Sequence, residues 1–415
     1  MGPHRPRLPS YRGNGKSDRR GSGFTLGRTR IMRRSRLSAL GTFENIAFSG
    51  VAAILWLLLT WAAGGGPAAA QSFDVFTVSG VPVDEVAESA AAARKKALAN
   101  GERRAFERLF KRLTVRADHG RIGDAGAEEI SALVQDIQVA DEKNSQIRYL
   151  AKLTFRFKPA RVRDFLRDLA VEFAETRSKP VLVLPVYEAG GAVALWDDSN
   201  IWRDAFAAAE FADGLVPMRL PRGDLGDIRA LGGGELAIRG DLPRITSIAK
   251  NYGVSAVIVA HAVLTATNRG TPAINIVAET HGSAERQQLL AFTVRAGKGE
   301  TIKSMLARGA SEAIGLIEDR WKLDNLLQFE QSAVLAAALP ITGLSDWVEA
   351  QRRLKKVAVI ERVDLILLSR NEARINLFYL GDPHQLKLAL SQADLKLREE
   401  EGSWSLGLVK KGRQR

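Results

Sequence analysis

Apolar and polar positions change their rhythm several times along this chain. Ile46 to Ala63 (IAFSGVAAILWLLLTWAA) is apolar apart from Ser49 and Thr60. From Phe73 onward the pattern becomes one of short alternations and helical stripes. FDVFTVSGVPV alternates and is rich in Val and Phe, which predicts a strand. Ala90, Ala93, Ala97, Phe106, Leu109, Phe110 and Leu113 then recur at helical spacing and predict a long helix from near Asp84. EEISALVQDI predicts a second helix, IRYLAKLTFRF a strand and ARVRDFLRDLAVEF, after Pro159, a third helix. The expected order of this small α+β domain is strand, helix, helix, strand, helix.

After the polar joint TRSKP, PVLVLPVY is a short continuous apolar run, the pattern of a strand buried on both faces. It leads through LWDDSNIWRDAF, LVPMRL and the turn-rich PRGDLGDIRALGGGE to a helix ITSIAKNYG and a strand SAVIVAHAVL. Two further strands, PAINIVAE and LLAFTVRA, precede a helix from about Thr301 to Leu326. Strands alternating with helices of this length predict a layered α/β domain. The last segment reads βαββαβ: SAVLAAALP, DWVEAQRRLKKV, AVIERVDLILLS, EARINLFYL, PHQLKLALSQA and DLKLREEEGSWSL. That order is ferredoxin-like.

The organisation expected is a basic leader at 1–43, a hydrophobic signal peptide or membrane anchor at 44–70, an N-terminal α+β domain at 71–178, a layered α/β domain at 179–328, a ferredoxin-like domain at 329–406 and a basic tail at 407–415. The fold class is multi-domain α/β and α+β.

Charge sharpens the reading of the leader. The whole chain carries +13, yet residues 1–43 hold eleven Lys/Arg against one acid, Asp18. Without residues 1–70 the balance is 49 basic to 45 acidic, so the excess belongs to the leader and no nucleic-acid partner is expected. GGGPAAAQ follows the apolar run, with Ala68 and Ala70 at the signal-peptidase positions, so export with cleavage after Ala70 is expected. An uncleaved anchor is the alternative, since eighteen helical residues span about 27 Å. Met32 offers an internal start that leaves a shorter leader. In either case the bulk of the chain is expected in the periplasm or anchored to the inner membrane facing it. With no cysteine there is neither a disulfide nor a lipid attachment site.

Candidate chemistry is sparse. His119, His261, His281 and His384 are scattered, with no metal-ligand spacing among them, and His261 within an apolar strand reads as a core residue. Ser247 to Lys250 spells S-x-x-K without its companion elements, on a helix whose Ile245, Ile248 and Ala249 should face the sheet. Gly232 to Gly234 lacks the Lys and Ser/Thr of a phosphate loop and reads as a turn. The basic face of the long helix, from Arg94 to Arg112, reads as a solvated surface laced with ion pairs. No cofactor motif is present.

LWDDSNIWRDAF remains. Asp197, Asp198 and Ser199 suit a helix N-cap, while Trp196 and Trp202 have the composition of a binding hot spot. Asp224 and Asp227 in the following loop are expected near the same end of the sheet.

The order of VSGVPVDEVAESAAAARKKALANGERRAFERLFKRLT, IRYLAKLTFRF, KPVLVLPVYE, LWDDSNIWRDAF and VPMRLPRGDLGDI resembles an exported proteobacterial family known only as domain of unknown function 2066. The resemblance implies export and, since that family has no agreed activity, assigns no catalytic residue. PVLVLP, ITSIAKNYG and SAVIVAHAVL also resemble the module shared by the TolB amino-terminal domain and outer-membrane activators of peptidoglycan synthases, which implies protein binding.

The expected role is therefore non-enzymatic: an exported envelope protein that docks protein or cell-wall partners, with Trp196, Asp197, Asp198, Trp202, Asp224 and Asp227 as the contact edge. The competing expectation is an envelope hydrolase drawing a carboxylate pair from Asp197, Asp198, Asp224 and Asp227. A third is a structural assembly subunit whose ferredoxin-like end pairs edge strands between copies.

Overall fold

The computed structural model describes residues 74–209, 213–266, 270–282, 289–328, 332–400 and 402–409, and its strands form three sheets. The leader, the apolar segment and the Ala70 cleavage site lie outside the described residues, as does most of the basic tail. Among the described residues no helix is long and apolar enough to cross a membrane.

The first sheet is antiparallel in the order β1-β3-β2, built from β1 (Thr77–Val86), β2 (Val134–Asn144) and β3 (Arg148–Phe157). α1 (Ala90–Leu113) starts where the Ser89 hydroxyl accepts from the Ala92 amide at 3.2 Å, an N-cap bond. Its buried stripe includes Ala93, Ala97, Phe106, Leu109, Phe110 and Leu113, as the helical spacing predicts. At Gly101 the helix backbone comes so near the sheet that a Cβ would meet Leu153 Cδ1 at 2.8 Å. α2 (Ala127–Leu133) follows a 3-10 helix at Arg116–Asp124, and α3 (Pro159–Asp168) closes the unit.

Here the predicted order needs correction. The expected second helix stops at Leu133, and Val134 to Asn144 is a strand paired along β3. Beyond Leu133, Ile137 and Val139 repeat at every second residue and are β-branched, so the pleated form takes over where helical spacing ends. The basic face of α1 is largely paired: Lys96 and Arg104 reach Glu85, Arg94 reaches Glu142 and Arg108 bonds Asp213.

The second sheet has the path β5-β4-β7-β8-β9, with β6 beside β4. Its strands are β4 (Val181–Ala189), β5 (Ala192–Ala194), β6 (Met218–Arg219), β7 (Ala256–Ala266), β8 (Pro272–His281) and β9 (Leu289–Arg295). β4 and β7 are parallel from Val181 opposite Ala256 to Glu188 opposite Val263. α4 (Ile201–Ala208) and α8 (Ile302–Asp324) cover one face through Trp202, Phe206, Met305 and Leu306. α5 (Leu225–Leu231), α6 (Gly234–Ile238) and α7 (Leu242–Tyr252) cover part of the other through Leu231, Ala237, Ile245 and Ile248. The layered α/β expectation and the apolar run of β4, buried from Val181 to Tyr187, thus agree with the structure.

The third sheet has the order β11-β12-β10-β14-β13. It is made of β10 (Ser332–Pro340), β11 (Ile360–Leu368), β12 (Glu372–Leu380), β13 (Leu395–Glu400) and β14 (Ser403–Leu408), with α9 (Leu344–Leu354) and α10 (Pro383–Gln392). The first five elements follow the ferredoxin-like order. The last does not: DLKLREEEGSWSL is a hairpin, turned near Gly402 at φ +75°, and β14 runs parallel to β10 between β10 and β13. A glycine in the left-handed region beside a run of charged residues is a hairpin signal.

Between these sheets the chain is tied by buried polar contacts. Phe173 and Ala174 bridge to Thr114 on one side and Leu326 on the other. On α8, Glu318 accepts from the amides of Leu215 (3.0 Å) and Val216 (2.8 Å), and Lys322 donates to the carbonyls of Lys111 (2.8 Å) and Thr114 (2.9 Å). Burial drives the Glu318 carboxyl up and the Lys322 ammonium down, each opposed by the other's charge. Arg112, also buried, is lowered to about 10 by desolvation and by Arg108, and still donates to the carbonyls of Val75, Thr77 and Asp213. Arg116 completes the joint, with Nε 2.5 Å from Asp319 and Nη1 2.8 Å from Glu312.

Candidate functional site

LWDDSNIWRDAF folds as a loop and the first turns of α4, held by the side chain of Asn200. The N-cap is Asn200, whose Oδ1 accepts from the Arg203 amide at 3.0 Å. Its Nδ2 donates to the carbonyls of Pro185 (2.9 Å), Leu195 (3.1 Å) and Ala194 (3.2 Å). A buried amide that ties three carbonyls is a stronger anchor than the neighbouring aspartates, which leaves Asp197, Asp198 and Ser199 exposed in the loop.

Trp202 is a core residue, and its expected place on a contact edge is corrected. Its side chain is fully enclosed, its indole N–H donates to the Ala260 carbonyl at 2.9 Å, and its ring meets Phe206 edge-on at 4.8 Å. Gly309 on α8 packs against the indole, and a Cβ there would stand 2.7 Å from Ile276 Cδ1, so the glycine lets the helix lie close to the sheet. Trp196 is half-buried, and its N–H donates to the Gly232 carbonyl.

The following loop does lie against this stretch, as Arg203 Nη2 donates to the Arg222 carbonyl at 3.0 Å. Asp224 is exposed and caps α5, accepting from Gly226 (2.9 Å) and Asp227 (3.1 Å), and its carboxyl is lowered first by the Asp227 amide. Asp227 is buried, contrary to an exposed contact role. It accepts from the Tyr252 hydroxyl at 2.6 Å and the Gly223 amide at 2.8 Å. Tyr252 is raised by burial and by that bond. The four aspartates are therefore split: Asp224 and Asp227 support α5 and its loop, while Asp197 and Asp198 lie exposed in the loop before α4.

The other motifs resolve as scaffold. His261 is half-buried with Nε2 3.0 Å from Glu188 Oε2, a partner two residues beyond its cross-strand neighbour Val186. Ile245, Ile248 and Ala249 face the sheet, with Ser247 and Lys250 exposed. Gly232 ends α5 at φ +85°, and a Cβ on Gly234 would stand 2.7 Å from Val193. Among the described residues no group of three or more His, Asp and Glu side chains is placed to hold a metal ion.

A feature of a different kind lies in the third sheet. β11 is an edge strand, and its last four residues, Leu365, Ile366, Leu367 and Leu368, are 42 to 61% exposed. The strand register shows why both of its surfaces are bare there. Leu365 and Leu368 lie opposite the buried Ile375 and Ala373, on the helix side, while Leu367 lies opposite the exposed Arg374. Leu368, Ala373 and Leu339 share one row across the sheet, and α9 begins just after that end of β10. There Leu344 and Val348, one turn apart on α9, are exposed as well, at 65% and 55%. Six large apolar side chains thus stand exposed toward one end of the third sheet and its helix α9. Sequence reasoning missed it. The available signal was LILL, a break in the alternation of a hairpin strand.

No family model matches the chain, and no curated protein matches it. Among solved structures it is similar to the lipoprotein GNA1162 from Neisseria meningitidis, at 15% identity over 33% of this chain and 95% of that one, with a TM-score of 0.23. A likeness of that size supports no statement about fold or role.

Proposed function

We propose that this chain is a non-enzymatic, exported cell-envelope protein that works by docking, and that its docking surface is the apolar end of the third sheet. The observation that carries the reading is the bare run Leu365–Leu368 on an edge strand, beside Leu344 and Val348. An edge offers unpaired backbone groups, and exposed leucines on both sides of it favour a partner that covers all three surfaces. Export is supported by the leader and the Ala70 site, and the resemblance to domain of unknown function 2066 fits the same setting. The engagement of Trp202, Asp224 and Asp227 within the scaffold turns attention from the α4 edge to this one. The test is the double variant Leu365→Ser/Leu367→Ser, followed as the full chain in gently solubilised envelopes. It should keep its melting temperature and lose its place in any larger assembly on native gels. An assembly unchanged by the double substitution would overturn the reading.

A further inference from the structure

We infer that the occupant of this edge is a second copy of the chain, joined by antiparallel pairing of β11 with β11 about a twofold axis through Val363. The inference rests on the docking reading above and gives it a partner and a register.

Charge carries it. Arg362 and Asp364 stand two residues apart on one face of β11, opposite Phe378 and Asn376 of β12. The Arg362 guanidinium lies 3.9 Å over the Phe378 ring and 3.1 Å from the Asp364 carboxylate, so both charges are held on the face away from the helices. A twofold axis through the residue between them sets Arg362 opposite Asp364 of the partner subunit, and repeats that pair on the other side of the axis. Antiparallel pairing with any other strand would need that charge pattern supplied separately. A copy of the same strand supplies it by symmetry, since a twofold interface is self-complementary.

The rest of the strand fits. β11 has irregularities between Ile360 and Arg362 and between Leu365 and Leu367, so the regular stretch is Arg362 to Leu365, next to the axis. Ile366, the most exposed side chain of the run, lies just beyond this stretch. The two third sheets would then form one continuous sheet, and the edge that β11 presents would be gone.

The chain has no cysteine, which makes the register directly readable. Two tagged copies of the full chain are produced together in cells, one carrying Arg362→Cys and the other Asp364→Cys, and intact cells are treated with copper phenanthroline. Directly opposed residues have Cα atoms about 4.5–5.5 Å apart, within disulfide reach, whereas two copies of position 362 would be about 8 Å apart. The expected result is a disulfide-linked dimer from the mixture, at least about tenfold above that from either variant alone. Absence of the adduct while both copies accumulate, or equal adducts from the single variants, would overturn the inference. A charge reversal guards against a local defect. Arg362→Asp should lower the native dimer about tenfold, and Arg362→Asp/Asp364→Arg should restore it; failure to restore contradicts the pairing. Capture of a different protein at Leu367 without the 362–364 adduct would overturn self-pairing and leave the docking reading standing.

Discussion

Lys322 on α8 extends its ammonium to the carbonyl oxygens of Lys111 and Thr114, at 2.8 and 2.9 Å, where α1 ends. A cation at a helix C-terminus meets carbonyls that have no partner within the helix. This contact fastens the first unit to the helix that covers the second sheet. Replacing it by Lys322→Met should cost about 3–5 kcal/mol, because it strips a buried acid, Glu318, of its counter-charge and takes a donor from the Lys111 and Thr114 carbonyls. Urea denaturation would measure it, and a loss under 1 kcal/mol would remove the joint from the account.

The buried carboxyls at this joint set a pH dependence. Burial raises Glu318, and it raises Glu175 in spite of the two-pronged Arg163 contact at 2.7 Å. A carboxyl with a raised folded-state value binds protons more tightly folded than unfolded, between the ordinary 4.5 and the raised value. The stability it contributes is complete below 4.5 and is lost as pH rises through the folded value. Glu318→Gln should therefore flatten the fall of unfolding free energy on the alkaline side of pH 4.5. A wild-type slope retained in the variant would contradict this assignment.

Trp202→Ala should act on folding. Removing an enclosed indole that bonds Ala260 and packs on Phe206 costs about 3–5 kcal/mol. Trp196→Phe, at a half-buried site with one bond to Gly232, should cost about 0.5–1.5 kcal/mol. Thermal unfolding of the two variants separates the roles, and equal shifts would mean that the enclosure of Trp202 contributes little.

Asp224→Ala removes a cap and should cost about 1 kcal/mol. Asp227→Ala should cost about 1–3 kcal/mol, since it leaves the Tyr252 hydroxyl and the Gly223 amide without their acceptor. Chemical denaturation of the pair checks the order; a larger loss at Asp224 would reverse it.

Much of this fold was legible from spacing. The stripe Ala93, Ala97, Phe106, Leu109 placed α1, and the continuous PVLVLPVY placed a central strand. Helix and strand meet without a break at Leu133 and Val134, with neither Gly nor Pro between them, so β2 was hidden inside a helical reading. Trp202 was misplaced although Trp202, Ala205 and Phe206 follow helical spacing, because the adjacent aspartates gave the stretch a polar look. The apolar corner was harder still. LILL reads as buried until it is known that β11 stands at the edge, and strand order depends on long-range pairing that local pattern does not contain.

The most direct measurement is photo-crosslinking in cells from a probe at position 367, with positions 197 and 202 as comparisons. Docking at the third sheet predicts a defined protein adduct from 367, none from the exposed Asp197 site, and poor accumulation of the chain when the probe replaces Trp202. A defined adduct from 197 with none from 367 would contradict it and return the contact edge to the α4 loop.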